Sequence, residues 1–270
     1  MKKVFLCAGL MLAVYGASAQ KLNLGKAVDA ASKSATALTF SNDDAIKLSK
    51  EAVDWMDKNN KVAGPKDPYT LRLNRLFEKH KTHDGLKLNY KVYLVLDINA
   101  FACADGSVRV FSSLMDIMTD DELLAIIGHE IGHVKNEDTK DAIKSAYLKA
   151  AAMDAAASTS GVVATLTESQ LGDLANSMLD ASHSKKQETQ ADTYSYDFMK
   201  ANGYDVVAAY TAFKKLALLS DGSTQSGYQK MFNSHPDSDK RAEAVKKKAQ
   251  KDGLWKDPGT VALPTTRLTK

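Results

Sequence analysis

His129-Glu130-Ile131-Gly132-His133 sets two imidazoles four residues apart. On a helix that spacing puts both on one face, one above the other. Two such side chains can hold one Zn²⁺ while Glu130 points toward a metal-bound water, takes its proton and delivers it to a leaving amine. A tetrahedral catalytic zinc needs a third protein ligand and keeps its fourth position for water. Downstream candidates are Glu188, Asp192, His183 and His235. Glu188 and Asp192 are also four apart and share a helical face; the first could bind metal and the second accept the free N–H of a ligand histidine. His183, among Ser182, Ser184 and Lys185, reads as a surface residue, as do His80 and His83 in their polar stretch.

The elements that must position these groups are legible around them. Thr119-Asp120-Asp121-Glu122 is a capping box, and Leu123, Leu124, Ile127, Ile131 and Val134 form the apolar face of the helix it opens. From Ser41 onward, Asn42-Asp43-Asp44 reads as the cap of a helix with Ala45, Leu48, Ala52, Trp55 and Met56 at helical spacing. Gly64-Pro65 and Asp67-Pro68 punctuate the chain before a second helix carrying Leu71, Leu73, Leu76 and Phe77. Tyr90 to Ile98 and Val108 to Phe111, with the turn signal Asp105-Gly106 between them, predict one strand pair. Helical patterns return at Asp120 and run to about Lys251. The fold class expected is α+β and mostly helical. The Ala-, Ser- and Thr-rich stretch from Ala142 to Ala175 is either a lid over the cleft or a plain helical hairpin; its charges exclude a membrane span.

The chain has 270 residues, 44% hydrophobic and 26% charged, which excludes a disordered or collagen-like protein and a disulfide-stapled miniprotein. Lys2-Lys3, the apolar run Val4 to Val14 and Ala17-Ser18-Ala19 read in order as a signal peptide cleaved before Gln20, with an apolar run too short to span a bilayer. The protein is therefore expected to be exported, periplasmic or extracellular. Losing Lys2 and Lys3 takes the formal charge from +3 to about +1 and leaves no basic stripe for nucleic acid. Cleavage also leaves Cys103 alone, read as a small apolar residue on a strand. The expected divisions are a signal peptide at 1–19, an N-terminal helical segment at 20–66, the main domain at 67–257 and a tail at 258–270.

Three motifs in order resemble one family. His-Glu-x-x-His at 129–133, Glu-x-x-Ala-Asp at 188–192 and Ser234-His235-Pro236 with Arg241 look like the HtpX and CAAX-prenyl-protease family of zinc metallopeptidases, in its soluble, exported LoiP- and BepA-like branch. Asn99-Ala100-Phe101-Ala102, Asp105-Gly106 and Val108–Phe111 look like that family's edge-strand segment. The resemblance covers about Asp67 to Val245.

It implies a zincin-type domain whose small sheet borders the active-site cleft. His129, His133 and Glu188 would hold one Zn²⁺, with Glu130 as general base and Asp192 orienting a ligand histidine. His235 would hydrogen-bond the oxyanion, and Arg241 would hold the site together. The strand with Val108 and Val110, or the segment Asn99-Ala100 beside it, would bind substrate by strand addition. Polypeptides, misfolded or envelope-associated, would be the substrates, with peripheral envelope association possible for a chain that carries no span after residue 20. The chain departs from the family at Asp138, where many members have histidine, and at Ser195, where they have glycine. A different reading is a zinc-stabilised scaffold that binds extended polypeptide without cutting it.

Overall fold

The structure, a computed structural model, describes residues 40–151, 166–222 and 234–264. The signal-peptide region and the middle of the Ala-rich stretch lie outside these residues. Nine helices and five strands are described, in the order α1 Asn42–Asn59, α2 Pro68–Phe77, β1 Thr82–His83, β2 Leu86–Lys87, β3 Asn89–Tyr93, β4 Ala100–Ala102, β5 Ser107–Phe111, α3 Ser112–Ile117, α4 Asp120–Lys135, α5 Asp138–Ala151, α6 Glu168–Leu179, α7 Lys185–Ala201, α8 Val207–Gly222 and α9 Ser238–Lys251. The chain is thus mostly helical with small sheets, as the sequence pattern leads one to expect. No described helix is long and apolar enough to cross a membrane.

Capping chemistry sets where the helices begin. Thr119 Oγ1 accepts from Glu122 N and Glu122 answers to Thr119 N, the box expected from the sequence. Ser41, rather than Asn42, is the N-cap of α1, with Asp44 closing its box. Ser184 and Gln187 do the same for α7, which carries Glu188 and Asp192. These reciprocal bonds satisfy amide groups that have no partner inside the helix.

The sheet differs from a simple strand pair. Strand β5 lies in the middle, parallel to β3 and antiparallel to β4. Val108 and Val110 are fully buried in the core, and β5 has both hydrogen-bonding edges filled. The expectation that they sit on a substrate-binding edge is therefore corrected: β4, from Ala100 to Ala102, is the edge strand, and it lies against α4. The three-residue β4 escapes pattern reading because it is too short to show an alternation. Arg109, buried on β5, pairs both oxygens of Asp57 from α1, at 2.8 and 2.9 Å, and Lys91 and Tyr93 also bond that carboxylate. Burial pushes the Asp57 carboxyl up, but these donors outweigh it and hold it at about 2.

Helix α4 is buried along most of its length and packs on α7, α8 and β4. Its approach to α7 depends on two glycines one turn apart. A Cβ on Gly132 would lie 3.1 Å from Ala191 Cα and 3.1 Å from Tyr194 Cβ, and one on Gly128 would lie 3.0 Å from Phe198 Cδ1. With no side chain at 128 and 132, α7 comes close enough to bring Glu188 and Asp192 to the histidine face of α4.

Candidate metal centre

Four side chains from three places in the fold converge. His129 and His133 come from α4, Glu188 from the first turn of α7, and His235 from the segment just before α9. One ligand atom from each lies within 4.8 Å of the others, and all four residues are buried. The His129 and His133 Nε2 atoms are 3.0 Å apart, and His235 Nδ1 lies 3.3 Å from His129 Nε2. Glu188 Oε1 is 3.0 Å from His235 Nδ1 and 3.3 Å from His133 Nε2.

Both ligand-candidate rings turn their other nitrogen to a carboxylate. His129 Nδ1 lies 2.9 Å from Asp192 Oδ1, and His133 Nδ1 lies 2.9 Å from Asp138 Oδ2. With Nδ1 protonated toward an acid, each neutral ring presents an Nε2 lone pair inward. Two lone pairs 3.0 Å apart beside a carboxylate cannot satisfy one another by hydrogen bonding. The buried Glu188 Oε2 likewise has no hydrogen-bond partner, although Arg241 Nη1 stands 2.8 Å away in an ion pair. An all-acceptor pocket of two imidazoles and a carboxylate fits a divalent cation such as zinc.

Arg241 holds the acids in place. Its Nε and Nη2 donate to Asp192 at 2.9 and 2.6 Å, and its guanidinium lies over the Phe213 ring at 4.2 Å. Nη2 also stands 3.1 and 3.2 Å from the two His129 nitrogens. Burial pushes the Glu188 carboxyl up, but His133, His235 and Arg241 hold it well below the usual carboxylate range. Glu130, buried next to the cluster with Oε1 3.6 Å from His235 Nε2, is raised by burial against the pull of His235 and His133.

Residue by residue, the structure brings together His129, Glu130, His133, Glu188, Asp192, His235 and Arg241. Asn99 and Ala100 line the same cleft, at the start of the edge strand. Val108 and Val110 do not reach it. His183 is half-buried rather than a free surface residue: its ring stacks on His133, centroids 3.8 Å apart and planes 15° from parallel, and its backbone N–H donates to Ser234 O. Burial, then the neighbouring His133 and His235, push it down to about 3. His80 is buried, with Nε2 2.8 Å from Tyr204 Oη, while His83 is half-buried. Cys103 is buried just past β4, and burial pushes its thiol up.

Asp138 is a site residue that sequence reasoning passed over as a mere departure. Glu137, at φ 62°, reverses the chain just after α4 and returns Asp138 to His133. Its only signal in the sequence is an acid shortly after the second histidine.

The cleft holds about 50 Å³ beside Glu130 and His133. The edge strand forms one wall; Met178 and Leu179 at the end of α6, with Ala181 and His183, form the facing one. Of the stretch 142–175, the described parts belong to helices α5 and α6, with Leu166 and Thr167 leading into α6.

A model of peptidase family M48 matches residues 70–249. The metalloprotease YcaL of Escherichia coli (strain K12) is 39% identical over 211 residues, covering 78% of this chain and 82% of its own length. The metalloprotease LoiP of the same strain is 35% identical over 255 residues, 94% of this chain and all of its own. The protease HtpX of Mannheimia succiniciproducens is 29% identical over 191 residues, 59% of this chain and 66% of its own.

Proposed function

The chain belongs to peptidase family M48 and is a metalloendopeptidase, and from that premise we propose that His129, His133 and Glu188 hold a catalytic zinc with Glu130 as general base. The observation that carries this assignment is the convergence of two Nε2 atoms 3.0 Å apart with one Glu188 oxygen, while both Nδ1 atoms are turned to carboxylates. Bound there, zinc supplies Lewis acidity toward water and toward the scissile carbonyl.

The chain's own residues do the rest. Glu130 accepts a proton from the attacking water on its carboxylate and passes it to the leaving amine nitrogen. His235 Nδ1 lies 3.0 Å from Glu188 Oε1; protonated on both nitrogens, the ring would also offer Nε2–H to the oxyanion. Asp192 and Asp138 orient the two imidazoles, and Arg241 fixes Asp192 and Glu188 against each other. An extended substrate pairs with the free edge of β4 through main-chain bonds, which ask little of its sequence. The end of α6, at Met178 and Leu179, stands across this cleft from β4.

The substrates are misfolded or envelope-associated proteins, reached after export by the N-terminal signal segment, with peripheral association to the envelope. A non-cleaving scaffold is not favoured, because it has no use for a buried glutamate at position 130.

Zinc content and casein cleavage, measured together on chain beginning at Gln20 for the wild type and Glu130→Gln, test the assignment. One zinc in each and cleavage by the wild type alone are expected. A variant that cleaves as fast as the wild type, or two proteins that bind no metal, overturns it.

A further inference from the structure

The catalytic cleft does not end at Asn99 and Leu179. Both residues also line a second pocket, of about 250 Å³, on the side away from His183. Trp55, Met56, Phe111 and Ala175 give it apolar walls. The Trp55 indole is pressed against α6 where Gly172 leaves room: a Cβ there would lie 3.0 Å from Trp55 Cζ2.

The rim carries one carboxylate, Asp97, and the side-chain amides of Asn59, Asn60 and Asn176. Asn59 and Asn60 each donate one side-chain N–H to a carbonyl near the end of α1, Trp55 O and Met56 O, both at 2.8 Å, which leaves their own carbonyl oxygens able to accept. The Asp97 carboxylate joins them, and α1 ends at this pocket with the negative pole of its dipole. No lysine, arginine or histidine lines it. An apolar shaft under a rim with one carboxylate and no cation suits a side chain with a long aliphatic stem and a cationic head.

We propose that this pocket is a specificity subsite that takes a lysine or arginine side chain of the polypeptide substrate, one step along the cleft from the scissile bond. The inference rests on the peptidase reading above. Trp55 covers the stem of the basic side chain, and Asp97 with the Asn59 and Asn60 carbonyls receives its head.

The test uses zinc-loaded protein and a set of peptides differing at one position: arginine, lysine, norleucine, phenylalanine or glutamate. Norleucine keeps the aliphatic stem and removes the charge. At one fixed position from the cleaved bond, arginine and lysine should raise kcat/KM about fivefold over norleucine. Asp97→Asn, a conservative change at an exposed residue, should shrink that ratio to below about twofold. Asn176→Phe, on the exposed side of α6, should fill the pocket and slow every peptide with a long side chain there. Norleucine or phenylalanine cut as fast as arginine, or a preference for basic residues untouched by Asp97→Asn, overturns the subsite while leaving the peptidase standing. Wild-type enzyme that cuts none of the peptides overturns the peptidase reading and the subsite with it.

Discussion

Gly132→Ala separates two opposed effects of known size. In an exposed helix, alanine is favoured over glycine by about 1 kcal/mol. Gly132 is buried between two helices, and the new Cβ would stand 3.1 Å from Ala191 Cα, 3.1 Å from Tyr194 Cβ and 3.2 Å from Ala191 O. Two of those three atoms are main chain and cannot swing aside, so α7 must retreat by a few tenths of an ångström. Overpacking of this kind costs about 1–3 kcal/mol, so the net change should be a loss of about 1 kcal/mol. The same retreat carries Glu188, one turn before Ala191, away from the two histidines. Loss of ligand alignment should lower zinc affinity about tenfold, with kcat/KM falling at least as far.

Urea unfolding, zinc competition against a chelator and peptide cleavage on one preparation measure all three. Gly128→Ala is the milder comparison: its Cβ would press on the Phe198 ring at 3.0 Å rather than on main chain, so a smaller loss is expected. A Gly132→Ala protein about 1 kcal/mol more stable than wild type, with zinc affinity and turnover intact, would refute the claim that this close approach positions the site.

Asp57→Asn should remove about 2 kcal/mol of stability at neutral pH, the worth of holding the carboxyl near 2 against 3.8 unfolded. Because the folded value is depressed, that contribution is complete above pH 3.8 and fades as pH falls toward 2; wild-type and variant unfolding curves that fail to converge there count against it. Asp138→Asn should weaken zinc binding about tenfold while α4 remains folded, and chelator competition with circular dichroism reads both. Lys215→Met strands the buried Glu122 carboxylate, which accepts from Lys215 Nζ at 2.6 Å, and should cost about 3 kcal/mol in a denaturant titration; an unchanged midpoint would show that Thr211 and the capping bond to Thr119 satisfy it alone.

The helices were easier to read than the sheet for a physical reason. A helix such as Asp120–Lys135 declares itself through a cap and a repeating apolar face, both written in neighbouring residues. Strand order is a property of pairing between distant segments. Val108 and Val110 have the composition of any buried strand, and nothing local says that β3 and β4 occupy both edges of β5. Histidine environments failed in the same way: His80 and His183 sit among polar neighbours in the chain, yet Tyr204 and His133 enclose them from across the fold.

The chemistry available was written in the chain: two imidazoles on one face of α4 with a glutamate between them, two carboxylates on one face of α7, and the caps that start both helices. These follow from helical period and side-chain reach, which act over a few residues. Only the tertiary structure decided that the two faces meet, through the gap left by Gly128 and Gly132, and that Asp138 comes back to His133 after a left-handed residue at 137. The same packing gives β4 the free edge and carries the cleft on into a pocket at the end of α1 that has one carboxylate, Asp97, on its rim. Those outcomes depend on packing between segments tens of residues apart, where short-range pattern carries no information.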